Sequence, residues 1–242
     1  MKNLYLDIGN SRTKIAVWEE PNWRIINIYD RLQTNELAGF IKDRHASYGK
    51  ILISCVVKEL AGMLAEVCPE EKLLFFANQD ITHRESSYDS TATMGVDRFI
   101  SARGAWAQNK KPAIVIDAGT ACTIDYMDAN AVYQGGVIMP GLKSLEDGLL
   151  TSAKALPPVS RSLPSEWPPK TTHTALQWGI MGSYLAAIDS HTNRFRTTDN
   201  QAVVWLTGGD AQLIGPLLKT NVVMDEMLIF KGLRALLLKS HS

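Results

Sequence analysis

The sequence predicts an α/β protein built from two related halves. In residues 114–125 (IVIDAGTACTID), an apolar, β-branched run ends on Asp117, and Gly119 follows two residues later. Such a run is typical of a buried strand that stops at a tight turn. Residues 4–17 (LYLDIGNSRTKIAV) repeat this order of residue types. Both stretches stand among alternating strand and helix patterns, which indicates α/β architecture.

The two stretches correspond at a constant offset of 110 residues, which pairs Asp7 with Asp117, Gly9 with Gly119, Asn10 with Thr120 and Thr13 with Thr123. Two such motifs in one chain indicate duplication of a half-sized unit. Two unrelated hairpins remain the alternative, since turns of this kind between strands are common.

The first half, residues 1–112, predicts the order β-β-β-α-β-α-β. We expect strands at 3–9, 13–18, 23–29, 50–54 and 73–76, and helices at 35–42 and 59–67. The polar stretch 77–94 predicts an irregular loop, and its length favours a functional one. A helical pattern then covers residues 96–108.

The second half, residues 113–242, predicts the same plan. We expect strands at 113–117, 121–127, 131–138, 203–207 and 222–224, and helices at 142–153, 174–192 and 226–238. Five prolines within residues 156–170 exclude a regular helix or a central strand there.

Composition and charge favour an ordinary soluble protein of the cytoplasm. The 242 residues carry 25 Lys and Arg and 25 Asp and Glu, so the formal net charge is zero. This balance argues against nucleic acid or a membrane as the main partner. The first residues enter a strand pattern directly, and no apolar run reaches the length of a membrane span.

The cysteines and histidines predict neither a disulfide framework nor a zinc site. Cys55, Cys68 and Cys122 lack the close spacing of metal-binding pairs, and the five histidines show no HxxH or HxxxH pattern. Cys122 lies near the second turn, where we expect a small apolar filler.

The turn after the first strand suits a polyphosphate. It offers backbone N–H groups, short polar side chains and a cation through Asp7, Gly9, Asn10, Ser11, Thr13 and Lys14. Asp7 and Asp117 together are a suitable carboxylate pair for a hydrated Mg²⁺. A plain hairpin would explain one such turn, but the duplicated copy favours the binding site.

The sequence GVDR at residues 95–98 opens a predicted helix. Asp97 lies in the first turn of this helix. Its carboxylate either only stabilises the helix by interacting with the helix dipole, or it acts as a general base while Arg98 binds a substrate anion. Spacing alone leaves these two readings open.

Two glycine-rich strand ends complete the set of motifs. GGVIMPG at residues 135–141 and GGD at 208–210 are either tight turns or places where the backbone closely approaches a nucleotide or substrate. Asp210 also suits a helix N-cap, and locally Thr171, Thr172 and Thr174 favour capping of the next helix.

Five motifs, in this order, resemble the type III pantothenate kinase family: LDIGNSRTKIAV, GVDR, DAGTACTID, GGVIMPG and residues 172–179. This family belongs to the acetate kinase, sugar kinase, Hsp70 and actin superfamily. The resemblance covers nearly the whole chain. It implies duplicated ribonuclease-H-like (actin-like ATPase) domains, each a mixed five-stranded sheet flanked by helices, with ATP in the cleft.

The resemblance also implies the activity: ATP-dependent phosphorylation of pantothenate, the first step of coenzyme A biosynthesis, by a homodimer. Asp97 matches the general base. The ATP-binding positions are Asp7, Ile8, Gly9, Asn10, Ser11, Arg12, Thr13, Lys14, Gly119, Thr120, Gly208 and Gly209. The substrate-binding positions are Tyr88, Gly95, Val96, Asp97, Arg98 and Thr172. Asp117 matches a site for K⁺ or NH₄⁺, and Asp7 would hold Mg²⁺, directly or through water.

Two positions depart from the family pattern. Thr171 replaces the usual Asn, and Trp178 replaces a small residue, which places the assignment of Thr172 and the local shape of the pocket or dimer face in question. The alternative function is a nucleotide-binding regulator on the same fold that lacks turnover. A sugar kinase is a weaker third choice, since the chain leaves little room for inserted subdomains.

Overall fold

The computed structural model describes residues 1–55 and 58–239. Two sheets of five strands each form its framework. Helices of the described chain flank both sheets, which confirms the predicted α/β fold with two mixed five-stranded sheets.

The first sheet has the spatial order β3-β2-β1-β4-β5. Its strands are β1 (Leu4–Ile8), β2 (Arg12–Glu19), β3 (Asn22–Asp30), β4 (Ile51–Cys55) and β5 (Leu73–Phe76). β1 pairs antiparallel with β2 and parallel with β4, and β4 pairs parallel with β5. The apolar run of β1 is buried on both faces, as expected of a central strand.

The second sheet has the order β8-β7-β6-β9-β10. Its strands are β6 (Ala113–Ala118), β7 (Ala121–Met127), β8 (Tyr133–Pro140), β9 (Val203–Thr207) and β10 (Val223–Met224). β6 pairs antiparallel with β7 and parallel with β9, and β9 pairs parallel with β10. In each sheet the central strand therefore pairs antiparallel with the strand that follows it in sequence and parallel with a later one, which agrees with duplication of one unit.

Helices cover the faces of the sheets as the periodicity predicts. They are α1 (Thr34–Arg44), α2 (Lys58–Val67), α3 (Val96–Asn109), α4 (Leu142–Ser152), α5 (Thr172–Gln177), α6 (Ser183–Thr198), α7 (Ala211–Ile214) and α8 (Leu228–Lys239). One core joins β1, β2 and β4 to the apolar faces of α1 and α2. A second core joins β6, β7 and β9 to α6.

Contacts divide the chain into two compact units. The first comprises residues 1–110, 130–134 and 227–242, and the second residues 111–129 and 135–226. The C-terminal helix α8 thus belongs with the first unit, although it follows the second half in sequence. A boundary between duplicated halves at residue 112 stays a prediction.

Two glycines explain why α8 packs in the first unit. A Cβ on Gly104 of α3 would lie 1.9 Å from the carbonyl oxygen of Leu228, and a Cβ on Gly232 of α8 would lie 2.0 Å from that of Ile100. The helices therefore approach backbone to backbone at these two positions, which no other residue type permits without a shift.

The predicted helix 174–192 differs from the observed one in extent and in shape. The helical stretch runs through α5, a π-helical turn at residues 178–182, and α6. The Trp178 ring packs directly against the backbone of Gly182, where a Cβ would lie only 2.6 Å from the ring. The Trp178 indole also donates to the Glu166 carbonyl at 3.0 Å and packs edge-on against Trp167 at 4.9 Å. Trp178 thereby fastens the proline-rich segment, which contains no regular element, to the helix.

The close approach of α3 and α8 predicts a sharp difference between two Gly→Ala variants. Gly104→Ala should lower the free energy of unfolding by about 3 kcal/mol, since the new methyl group overlaps the α8 backbone. Gly62→Ala in α2 meets nothing within 4 Å, and it should stabilise the chain by about 0.5–1 kcal/mol through a less flexible unfolded state. Guanidinium unfolding of both variants measures the difference. Equal effects would contradict the described packing.

Candidate active site

The first turn joins β1 to β2 and holds Asp7 at the strand end. Gly9 N–H donates to the Arg12 carbonyl at 3.0 Å, which closes the turn. Asn10, Ser11 and Arg12 are exposed, whereas Thr13 is buried and Asp7 and Lys14 are half-buried. Asp7 lies directly opposite Lys14 in the β1–β2 register. A carboxylate, an ammonium group and a short polar loop thus stand together at the carboxyl end of β1.

The second turn joins β6 to β7 and holds Asp117. Gly119 N–H donates to the Ala121 carbonyl at 3.1 Å, which parallels the bond in the first turn. Asp117 lies opposite Thr123 of β7 and beside Thr207 of β9. Its Oδ1 would lie 3.5 Å from a Cβ on Gly119, so the carboxylate lies close to its own turn.

The two turns differ in length by one residue, which corrects the constant offset of 110. In the first hairpin Thr13 pairs with Ile8, and in the second Cys122 pairs with Ala118. Thr123 is therefore the structural counterpart of Lys14. The offset of 110 holds up to the turn and falls to 109 after it.

Glycines on two neighbouring segments hold the second turn in place. A Cβ on Gly141 would lie 2.1 Å from the Gly119 carbonyl oxygen and 2.6 Å from that of Thr120. Gly141 N–H and the Ser144 hydroxyl both donate to the Thr120 carbonyl, at 3.2 and 3.1 Å. The glycine of the GGVIMPG motif therefore packs directly on the backbone of the turn.

The glycine pair after β9 contributes in two different ways. Gly208 has φ +99°, and a Cβ there would lie 2.5 Å from the backbone of Ala118. Gly209 meets nothing within 4 Å. Asp210 N–H donates to the Ala118 carbonyl at 2.9 Å, and the residue precedes α7 without a side-chain cap bond. Gly208 thus allows the backbone after β9 to pack closely against the second turn, whereas the space beside Gly209 is open.

Asp97 lies in the first turn of α3, and its carboxylate folds back toward Gly95. Asp97 Oδ1 accepts the Arg98 backbone N–H at 2.9 Å, and a Cβ on Gly95 would lie 2.7 Å from that oxygen. The N-terminal end of a helix stabilises a carboxylate electrostatically. Any side chain at position 95 would therefore overlap the Asp97 carboxylate, so the position requires glycine.

Arg98 is buried, with 7% of its surface exposed, and its guanidinium carbon lies 5.9 Å from the centre of the Tyr133 ring. The Tyr133 ring is fully buried and also contacts Tyr88 and Phe99, with ring centres 6.0 and 6.1 Å apart. Tyr88, Val96 and Arg98 thus share one region of the first unit. The sequence alone assigned no role to Tyr133. Its position just before the glycine pair at residues 135–136 was the one feature of the sequence that could have pointed to it.

The loop that carries Tyr88 is anchored by its own backbone. Tyr133 N–H donates to the Glu85 carbonyl at 2.8 Å, and Ser87 N–H donates to the Tyr133 carbonyl at 2.9 Å. The Glu85 carboxylate accepts Lys239 Nζ at 2.6 Å and the Thr82 hydroxyl at 2.9 Å. Burial alone raises the pKa of Glu85, but these hydrogen bonds together hold it below its usual value. The predicted irregular loop is therefore well ordered around residue 85.

Thr172 is the first residue of α5 and lies outside the two turns. Thr171 is the N-cap, since its hydroxyl accepts the Thr174 backbone N–H at 3.1 Å. The capping prediction is thus confirmed for Thr171 and Thr174. A contact of Thr172 with substrate stays a prediction.

Cys122 lies fully buried beneath the second turn, next to Tyr184. Burial raises the pKa of the Cys122 thiol to about 11 and also raises the pKa of the Tyr184 hydroxyl. A protonated, enclosed thiol is unreactive, which agrees with a packing role.

The carboxylates of the two turns are suited to a magnesium ion that keeps most of its water ligands. They do not form the set of ligands that would enclose a metal ion within protein side chains. Within residues 1–55 and 58–239, no group of three or more His, Cys, Asp or Glu side chains forms a metal cluster. Asp7 and Asp117 are half-exposed oxygen donors at strand ends, and Mg²⁺ commonly takes one or two such groups together with water and phosphate.

Among residues 1–55 and 58–239, none of the helices combines the length and the apolar character that a membrane span requires.

Comparison with known proteins identifies close similarity to one family. The family model described as type III pantothenate kinase matches residues 3–194. The type III pantothenate kinase of Syntrophus aciditrophicus is 32% identical, with 96% of each chain covered. That of Syntrophotalea carbinolica is also 32% identical, with 98% of each chain covered.

Solved structures agree with the fold. A structure described as a putative Baf family transcriptional activator from Campylobacter jejuni superposes with a TM-score of 0.67 at 21% identity, covering 98% of both chains. A putative N-acetylmannosamine kinase from Listeria monocytogenes gives 0.58 at 10% identity, covering 99% of this chain and 100% of that one. At these identities the likeness shows a shared fold.

The glycine pair after β9 offers a matched test of the packing around the second turn. Gly208→Ala should lower the free energy of unfolding by at least about 2 kcal/mol, because the residue has positive φ and its methyl group would overlap the Ala118 backbone. Gly209→Ala should change it by less than about 0.5 kcal/mol. Hydrogen exchange at the Asp210 amide, whose acceptor is the Ala118 carbonyl, should accelerate only in Gly208→Ala. Similar behaviour of the two variants would contradict the packing described.

Proposed function

The chain belongs to the type III pantothenate kinase family, and we infer that it transfers the γ-phosphate of ATP to pantothenate, the first step of coenzyme A biosynthesis. The observation that carries this inference is the family match, which extends from β1 into α6 and includes both turns and the start of α3. In-line phosphoryl transfer requires positioning and charge stabilisation rather than covalent participation of the protein. Each group that we assign below supplies one of these two needs.

We propose that the two turns bind the phosphates of one ATP molecule. The first turn offers the positions from Asp7 to Lys14, and the second offers Gly119 and Thr120. Backbone N–H groups at such turns form anion-binding concavities, and an ammonium group adds charge. The clamped backbone of the second turn supports this role, since donors that are already fixed need no reorganisation during reaction. Gly208 and Gly209 would lie beside the adenosine, with the space at Gly209 available to it.

We propose Asp97 as the general base. The carboxylate would orient the primary hydroxyl of pantothenate and accept its proton as the oxygen attacks the γ-phosphorus. Its fixed position, set by the Arg98 amide and by the absence of a side chain at Gly95, supports this assignment.

Arg98 would bind the carboxylate of pantothenate. The Arg98 side chain is buried, and its guanidinium carbon lies 5.9 Å from the centre of the Tyr133 ring, so the positive charge has a defined place in this region. Tyr88, Gly95 and Val96 would line the same pocket, with Thr172 a further contact. Tyr133 would position both Arg98 and Tyr88.

Two cations complete the proposed chemistry. When bound, Mg²⁺ supplies charge neutralisation for the triphosphate, and K⁺ or NH₄⁺ supplies a second, weaker positive charge. Asp7 would hold Mg²⁺, directly or through water, and Asp117 would hold the monovalent cation. We further propose a cytoplasmic homodimer that acts on small molecules, with neither nucleic acid nor a membrane as partner.

A non-catalytic regulator on the same fold is the alternative, and it is not favoured. The likeness to a protein described as a transcriptional activator is a likeness of fold, at 21% identity. Asp97, Arg98 and both turns are present, and a regulator without turnover would need none of the base chemistry. An ADP-release assay with pantothenate, and then with sugars, separates the kinase, the regulator and a sugar kinase. ADP release that depends on pantothenate is the expected result, and no release with any substrate would favour the regulator.

Replacing the base tests the mechanism. Asp97→Asn should lower kcat about 10²–10⁴-fold, because an amide cannot accept the hydroxyl proton. The KM for ATP should stay near its original value, since the turns are untouched. Asp43→Asn, on the exposed face of α1, is the matched control and should retain full activity. Near-normal turnover in Asp97→Asn would remove this residue from the mechanism.

The role of Asp117 is tested by the cation dependence of the rate. Adding K⁺ or NH₄⁺ to enzyme assayed with Mg²⁺ alone should raise kcat/KM. In Asp117→Asn this activation should be lost, because a neutral amide attracts a cation less than a carboxylate does. Unchanged activation in the variant would place the monovalent site elsewhere.

A further inference from the structure

A cavity in the first unit lies far from the first of the two proposed phosphate turns. It encloses about 650 Å³ and is lined by the β2–β3 hairpin, the end of α3 and one face of α8. We call it the basic groove. β2 runs from the first turn at Arg12 to the hairpin at Glu19, and eight residues of strand span about 23 Å. The basic groove and the first turn therefore lie at opposite ends of the same strand.

Charge distinguishes the basic groove from the rest of the chain. Arg103, Lys110, Lys231 and Arg234 all line it, and none of its described lining residues is Asp or Glu. The chain as a whole is neutral, so this concentration of positive charge is local. Positive side chains gathered in one concavity attract small anions.

Aromatic rings hold three of these cations in place. Arg234 lies 4.8 Å from the ring centre of Trp18, while Arg103 and Lys110 lie 4.9 and 4.2 Å from that of Trp106. Such contacts order long side chains that would otherwise move freely. The basic groove is thus prepared for an anion before one binds, and that lowers the entropic cost of binding.

Arg103 carries an independent sign of a missing partner. Its Nε is buried and has no hydrogen-bond partner among the described residues, while its Nη1 reaches the Ala131 carbonyl at 3.4 Å. A buried donor without an acceptor is unfavourable in a native structure. An anion in the basic groove would supply that acceptor once the Arg103 guanidinium turns toward it.

Two tryptophans determine the kind of anion. Trp18 and Trp23 line the basic groove 5.3 Å apart, and Phe230 stacks behind Trp23 at 6.1 Å. Indole rings bind planar heterocycles by stacking. The volume lies in the range of small-molecule pockets. We propose that the basic groove binds a small phosphorylated ligand with a planar ring, of the nucleotide class, at a site distinct from the first phosphate turn.

The test uses the full chain labelled with 5-fluorotryptophan and followed by ¹⁹F NMR. The Trp18 and Trp23 resonances are assigned from Trp18→Phe and Trp23→Phe. Titration with ADP should shift both resonances in a saturable manner. Inorganic pyrophosphate, which has the charge without the ring, should bind the basic groove about tenfold more weakly.

A charge-removal pair makes the result specific to the basic groove. Lys231→Ala/Arg234→Ala should raise the Kd read from these two resonances at least about tenfold. Lys42→Ala/Lys154→Ala removes two exposed charges elsewhere and should leave it unchanged. Circular dichroism checks that each variant folds.

Three results would overturn the proposal: no saturable shift up to about 5 mM ADP, an unchanged Kd in Lys231→Ala/Arg234→Ala, or equal affinity for pyrophosphate and ADP. Because binding is read without turnover, the outcome is independent of the kinase assignment.

Discussion

Contact between backbones without intervening side chains sets the geometry of the second turn. Gly141 and Gly208 both approach the backbone of residues 118–120 more closely than any Cβ would permit. Hydrogen bonds from Gly141 and Asp210 then hold two carbonyls of the same short stretch. Because these carbonyls are both hydrogen-bonded and closely packed, the backbone of the turn is held in one conformation. Asp117, at the start of the turn, is therefore held in place as well. The GGVIMPG and GGD motifs thus act together on one turn, although Gly208 follows Gly141 by 67 positions in the sequence.

The duplicated framework supports two turns with different chemistry. Both follow the central strand of a sheet with the same strand order, and both close with a bond from the glycine amide. The shorter second turn places Thr123 opposite Asp117, whereas Lys14 lies opposite Asp7. A carboxylate facing an ammonium group and one facing a hydroxyl differ in the cation that they attract. The proposed division between Mg²⁺ at Asp7 and a monovalent ion at Asp117 rests on the family resemblance.

The sequence predicted the sheets well because each strand carries its own apolar run and each turn its own Asp and Gly. Its errors concern relations between distant residues. Identity of Thr13 and Thr123 suggested a constant offset, and only the register shows that the second turn is shorter. Gly104 and Gly232 give no local sign that α8 packs on α3. Tyr133 belongs in sequence to the second half, so its contacts with Arg98 and Tyr88 had no pattern to reveal them.

The central claim is that the two duplicated turns bind one triphosphate together. A crystal structure of the full chain with a non-hydrolysable ATP analogue, Mg²⁺ and pantothenate tests it most directly. The account predicts phosphate oxygens bonded to amides of both turns, with the pantothenate hydroxyl within hydrogen-bond reach of Asp97. A nucleotide bound to one turn alone, or bound elsewhere with the Asp117 turn facing solvent, would contradict it.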